Sequence, residues 1–103
     1  MPMGDDLSEK AITKAIRRLL TELGVWHWKQ FQSLGSTPGV PDIIGIWQGR
    51  MLGIEVKTAR GKLSVQQQVF IDKINAHGGI AFCARSVEDV IEGLGVQDRF
   101  LVR

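Results

Sequence analysis

Asp42, Glu55 and Lys57 are the side chains whose types and spacing most invite chemistry. Asp42 stands near the start of Pro41-Asp42-Ile43-Ile44-Gly45-Ile46-Trp47, and Glu55 and Lys57 close Met51-Leu52-Gly53-Ile54-Glu55-Val56-Lys57. Both stretches are rich in β-branched and apolar residues. The polar Gln48-Gly49-Arg50 between them has hairpin length, so the two read as antiparallel strands. The two-residue period of a strand sends Ile54 and Val56 to one face and Glu55 and Lys57 to the other. A hairpin returns the end of its second arm to the start of its first, which brings Asp42 to Glu55 and Lys57 at one edge of the sheet. Two carboxylates so placed repel unless a cation lies between them, and hard oxygen ligands suit Mg²⁺, with Mn²⁺ able to substitute. A same-face ion pair on an exposed strand is the plainer account of Glu55 and Lys57 taken alone.

Further elements must position that hairpin. From Leu7 to Leu23 apolar residues recur at Ile12, Ile16, Leu19, Leu20 and Leu23, one face of a helix capped by Ser8, Asp6 or Asp5. Glu9 continues this stripe. Lys10, Lys14, Arg17, Arg18 and Glu22 mark the outer face, where Lys14, Arg17 and Arg18 meet either phosphate or water. After Gly24, Val25 to Phe31 alternates as a strand with Trp26 and Trp28 on one face; such a pair reads as core beneath a helix, with stacking on a splayed base as the alternative. His27 reads as an ordinary strand histidine. Residues 32–40 form a loop by composition, and its Ser36 and Thr37 are expected beside Asp42, where a phosphate could lie.

Beyond Lys57, residues 58–62 read as a polar, basic turn. Arg50, Lys57, Arg60 and Lys62 are expected to gather around the carboxylates. Ser64 caps a helix to about His77 with Phe70, Ile71 and Ile74 inward, and Gln67 falls on that inward stripe. A buried amide without partners costs about 1–3 kcal/mol, so Gln67 either stays wet against the helix start or finds a partner in the site. Ile80 to Ala84 reads as a buried strand parallel to that of Glu55, because a helix joins them. Ser86 caps a last helix to about Leu94. The tail, residues 95–103, alternates Val96, Phe100 and Val102 and is expected to form a terminal strand and a dimer contact. Residues 1–6 are expected to fray.

The Pro-Asp, the hairpin-length gap and Glu55-Val56-Lys57 resemble the PD-(D/E)XK nuclease superfamily. The flanks narrow the likeness: Gly39-Val40 before Pro41, then Gly61, Leu63-Ser64, Gln67, Phe70 and Gly78-Gly79. This longer string, from about Glu9 to about Leu94, resembles the stand-alone virus-type replication-repair nuclease domain, VRR-NUC. The resemblance implies an α/β, restriction-endonuclease-like core, a mixed central sheet of about four strands flanked by helices in the order αβββαβα. Periodicity gives the same order independently.

The likeness also implies a metal-dependent endonuclease acting on DNA. Asp42, Glu55, the Val56 backbone carbonyl and Glu9 would hold the metal, Glu9 because the resembling nucleases carry an acid on their first helix; a first-turn glutamate favoured by the helix dipole explains Glu9 without function. Lys57 would stabilise charge on the phosphate first and serve as general base second, and Gln67 would reach the metal water, the Lys57 region or the scissile phosphate. Ser36, Thr37, Arg60 and Lys62 are the expected nucleic-acid contacts. Stand-alone members are associated with four-way junctions, which makes branched DNA and a homodimer the expected partners. A nickase or flap nuclease, and a module that binds without cutting, are the alternatives.

Composition sets outer bounds. A chain of 103 residues has room for one domain with one modest core. A net charge of +2 is a weak pointer to nucleic acid. With Cys83 the sole cysteine, neither an internal disulfide nor a Cys-based zinc site can form, and Cys83 reads as buried filler. No apolar run is long enough to span a bilayer, and nothing points to a small-molecule cofactor; the expectation is a cytoplasmic protein of phage or bacterial type.

Overall fold

A computed structural model of the chain describes residues 7–31 and 37–100. The elements run α1 (Glu9–Glu22), β1 (Trp26–Lys29), β2 (Ile43–Trp47), β3 (Arg50–Val56), α2 (Val65–Ala76), β4 (Ile80–Ala84) and α3 (Val87–Leu94), followed by a 3₁₀ turn at Gln97–Phe100. The expected order αβββαβα is present. Each helix begins at the serine that the sequence marks: the hydroxyls of Ser8, Ser64 and Ser86 accept from the backbone N–H of Ala11, Gln67 and Asp89.

The sheet has the strand order β1-β2-β3-β4. β1 pairs with β2 and β2 with β3 antiparallel, whereas β3 and β4 run parallel across the α2 connection. The β2–β3 turn is tight because Gln48 and Gly49 both take positive φ, 52° and 77°, the backbone of a two-residue hairpin loop whose twist matches the strands. Ile43 faces Ile54 in the resulting register. Ile43, Trp47, Leu52, Ile54, Val56 and Ala84 pack with Ile12, Ile16, Leu19 and Leu20 of α1 and with Val90 and Leu94 of α3 in the main core. On the opposite side Ala81 packs with Ile71 and Ile74 of α2 in a smaller one.

Two expectations fail here. Trp26 and Trp28 do share a face, yet they are 69% and 39% exposed, and Ile46 and Met51 beside them are exposed as well. α2 packs mainly over β3 and β4, and the tryptophans on β1 at the edge of the sheet stay open to solvent. The tail also differs. Val96 is buried in the main core, and Gln97–Phe100 wind into a 3₁₀ turn in place of a strand, with Arg99 over the Trp47 ring at 5.7 Å. The αL cap at Gly95 turns the chain back onto the core. Val102 and residues 1–6 lie outside the described residues. No helix among those described is long and apolar enough to cross a membrane.

Candidate active site

The hairpin register fixes the site. One step beyond the Ile43–Ile54 pair the same register sets Asp42 opposite Glu55, where directly opposed side chains stand about 4.5–5.5 Å apart at Cβ. Asp42 Oδ2 accepts the Val56 N–H at 2.8 Å, and the Asp42 carbonyl accepts from Gln30 N, so the aspartate is held from both flanking strands. The N–H and C=O of one strand residue point to the same flank, which turns the Val56 carbonyl toward Asp42.

Glu55 is 3% exposed. Its Oε2 accepts from Gln67 Nε2 at 3.2 Å and lies 3.8 Å from Lys57 Nζ, whereas its Oε1 is buried with no hydrogen-bond partner. Its pKa is pushed up to about 8, first by burial and then by the Asp42 carboxylate close beside it. Lys57 pulls it back, and Glu9 raises it further. A carboxylate removed from water, opposite a second carboxylate and with one oxygen unpartnered, fits a divalent cation as its missing neighbour.

Gln67 caps its helix and meets Glu55 with the same amide. It completes a capping box with Ser64, its Oε1 accepting the Ser64 N–H at 2.8 Å while its own N–H donates to the Ser64 hydroxyl at 3.1 Å. The amide nitrogen left over is the one that reaches Glu55. Glu9 is exposed in the first turn of α1, at the rim of a cavity that it shares with Asp42. Among the described residues no group of three or more His, Cys, Asp or Glu is gathered closely enough to hold a metal ion, so the close pair is Asp42 and Glu55.

The remaining residues scatter. Arg60 and Lys62 are exposed on the turn after Lys57, a turn pinned by Arg85, whose Nη1 donates to the carbonyls of Thr58 and Gly61. Thr37 is exposed and lines a groove with Gln66, Val69 and Lys73 of α2. Ser36 lies outside the described residues. Arg50 does not join the site, against expectation: it sits at the turn end of the hairpin, opposite Trp47, and donates to the Gly78 and Gly79 carbonyls at 2.8 and 3.2 Å. Being near Glu55 in sequence put it at the far end of a strand. Cys83, half-buried behind Glu55 on β4, has a thiol raised by burial, which suits filler and not a nucleophile.

A family model of the VRR-NUC domain matches residues 3–88. The chain belongs to the VRR-NUC family. Two solved structures share its fold: one described as "VRR_NUC domain", 22% identical with a TM-score of 0.69, covering 85% of this chain and 95% of its own, and one described as "VRR_NUC domain protein", 19% identical with a TM-score of 0.68, covering 86% of each chain. No curated protein matches the sequence. This VRR-NUC chain therefore has the restriction-endonuclease-like PD-(D/E)XK fold, a mixed four-stranded sheet flanked by helices, and is a nuclease-type domain.

Two features around the candidate site carry no signal in the sequence. Arg85 pins the turn after Lys57 by long-range bonds that leave no local pattern. Lys10 and Lys29 come from separate elements yet line the cavity beside Asp42.

Proposed function

We propose that this VRR-NUC domain is an endonuclease that hydrolyses DNA phosphodiester bonds with the help of Mg²⁺, for which Mn²⁺ would substitute. The observation that carries the proposal is Glu55: buried, opposite Asp42, with an orphaned oxygen and a lysine at 3.8 Å. Asp42, Glu55 and the Val56 carbonyl would hold the cation, with Glu9 at the rim. Bound there, a divalent ion supplies Lewis-acid polarisation and a more acidic water. Lys57 stabilises negative charge on the phosphate's nonbridging oxygens, and Gln67 fixes the rotamer of Glu55 while its cap anchors α2. Arg60, Lys62, Thr37 and Ser36 are proposed backbone contacts.

The substrate we favour is branched DNA, four-way junctions first, cut by a homodimer that presents two sites. The bare row of Trp26, Ile46 and Met51 on the sheet face supports a second copy as partner, because apolar aromatic and methionine side chains are enriched at such interfaces. Purified protein with Mg²⁺, offered matched linear, flap and four-way-junction DNA, tests the reading. Cleavage that disappears in Asp42→Ala and Glu55→Ala is expected, strongest on the junction. Preference for the flap, or nicks only, would replace the substrate; binding without cleavage under every divalent cation would replace the enzyme with a binding module.

A further inference from the structure

A cavity of about 590 Å³ opens between α1 and the β1 edge, lined by Glu9, Lys10, Thr13, Lys14, Arg17, Lys29, Phe31 and Asp42. Its charges are sorted by position. Glu9 and Asp42 stand at the end that adjoins Glu55; Lys10, Lys14 and Arg17 follow along α1 at positions i, i+4 and i+7, one helical face. Lys29 comes in from β1. Arg17 Nε is buried there with no hydrogen-bond partner among the described residues, while neighbouring Arg18 is turned outward and paired with Glu22 at 3.4 Å. Phe31 is 69% exposed at the mouth, with Lys29 Nζ 4.5 Å from its ring centroid on one side.

We propose that this cavity holds one unpaired DNA strand, its backbone along Lys10, Lys14, Arg17 and Lys29 and a base stacked on Phe31, so that the strand is delivered to Asp42. The inference deepens the nuclease reading and rests on it for the direction of delivery. The row from Lys10 to Arg17, with Lys29 across the groove beside Asp42, gives the phosphates a cationic track that begins next to the carboxylates. Lys10 to Arg17 spans about 10 Å of helix, enough to follow consecutive phosphates of one strand. An unpaired strand, opened at the centre of a junction or free in a flap, is selected because bases inside a duplex have no free face to offer a ring, whereas a splayed base stacks on an exposed aromatic irrespective of sequence.

The test is anisotropy of a short labelled single-stranded oligonucleotide and its duplex, in EDTA so that binding is read apart from cleavage. Wild-type protein is expected to favour the single strand. Lys14→Ala with Lys29→Ala should weaken binding and flatten the dependence of log K on log salt by about 1.4, near 0.7 for each lost contact. Phe31→Ala should weaken single-strand binding by about 5- to 100-fold and leave duplex binding unchanged, and Arg18→Ala should change neither. Lys14, Arg18 and Phe31 are exposed and Lys29 is half-buried, and circular dichroism checks that the variants fold. An unchanged salt slope in the double variant, or a duplex bound as tightly as the single strand with Phe31→Ala neutral, overturns the proposal. A protein that binds through these residues but never cuts would sink the nuclease reading alone; one that cuts while these residues are neutral would sink the cavity proposal alone.

Discussion

Glu55 sits where an ionised carboxylate is least stable, and its pKa makes that measurable. Its pKa in the folded protein is near 8 against 4.5 for the free group. Between those values the unfolded chain has released a proton that the folded chain keeps, so folding binds protons and metal-free stability falls as pH rises from about 4.5 to about 8. Each pKa unit corresponds to about 1.4 kcal/mol. Denaturant titrations across that range should show a loss in the wild type that Glu55→Gln removes, leaving the variant more stable at pH 8 by about 1–3 kcal/mol. Parallel pH curves for the two proteins would mean that Glu55 is not strained. Gln67→Ala removes both a cap acceptor and a donor to Glu55; it should cost about 1–2 kcal/mol of stability and about 10–100-fold in cleavage. A purely structural Gln67 would lower the melting temperature and leave the cleavage rate intact below it.

At the scale of elements, the lead-in to Asp42 is fixed by a close approach to α2. A Cβ on Gly39 would lie 2.4 Å from the Gln66 carbonyl oxygen, and Gly39 has φ +82°. Gly39→Ala is therefore expected to destabilise the fold by about 1–3 kcal/mol and to slow cleavage by displacing Asp42, both readable by denaturation and a single-turnover assay; wild-type stability would show that the loop gives way freely. The strand and helix periods, the serine caps and the hairpin turn made nearly every element legible in the sequence, as did the approach of Asp42, Glu55 and Lys57, because a hairpin's two ends are set by its turn. Other features lie beyond period and spacing. Alternation says that Trp26 and Trp28 share a face, but whether a helix covers that face depends on where α2 docks. Arg50 was misplaced because closeness along a strand is distance in space. Helical spacing shows that Lys10, Lys14 and Arg17 share a face, but the approach of Lys29 to them across a helix–strand groove has no linear pattern. Gln67 was legible as a polar residue on an apolar stripe, although the stripe could not say that one amide serves the cap and the carboxylate together.

For the whole molecule the exposed Trp26–Ile46–Met51 row, at the edge of the sheet and on the face α2 leaves bare, is the surface on which the homodimer proposal stands or falls. Light scattering behind size exclusion is expected to give twice the 11.4 kDa chain mass, and Ile46→Lys should return single chains without unfolding them. A monomeric wild type at micromolar concentration would remove the two-site picture of junction cleavage and favour a flap or nicking activity.

The claim beneath all of this is that Asp42 and Glu55, opposed across β2 and β3, jointly bind a divalent cation. Calorimetric titration of Mn²⁺ into the protein at pH 8 tests it most directly. Saturable binding that is lost in Asp42→Asn and in Glu55→Gln, but kept in Lys57→Ala, is the predicted result; binding that is absent from the wild type, or unchanged in either carboxylate variant, would contradict it.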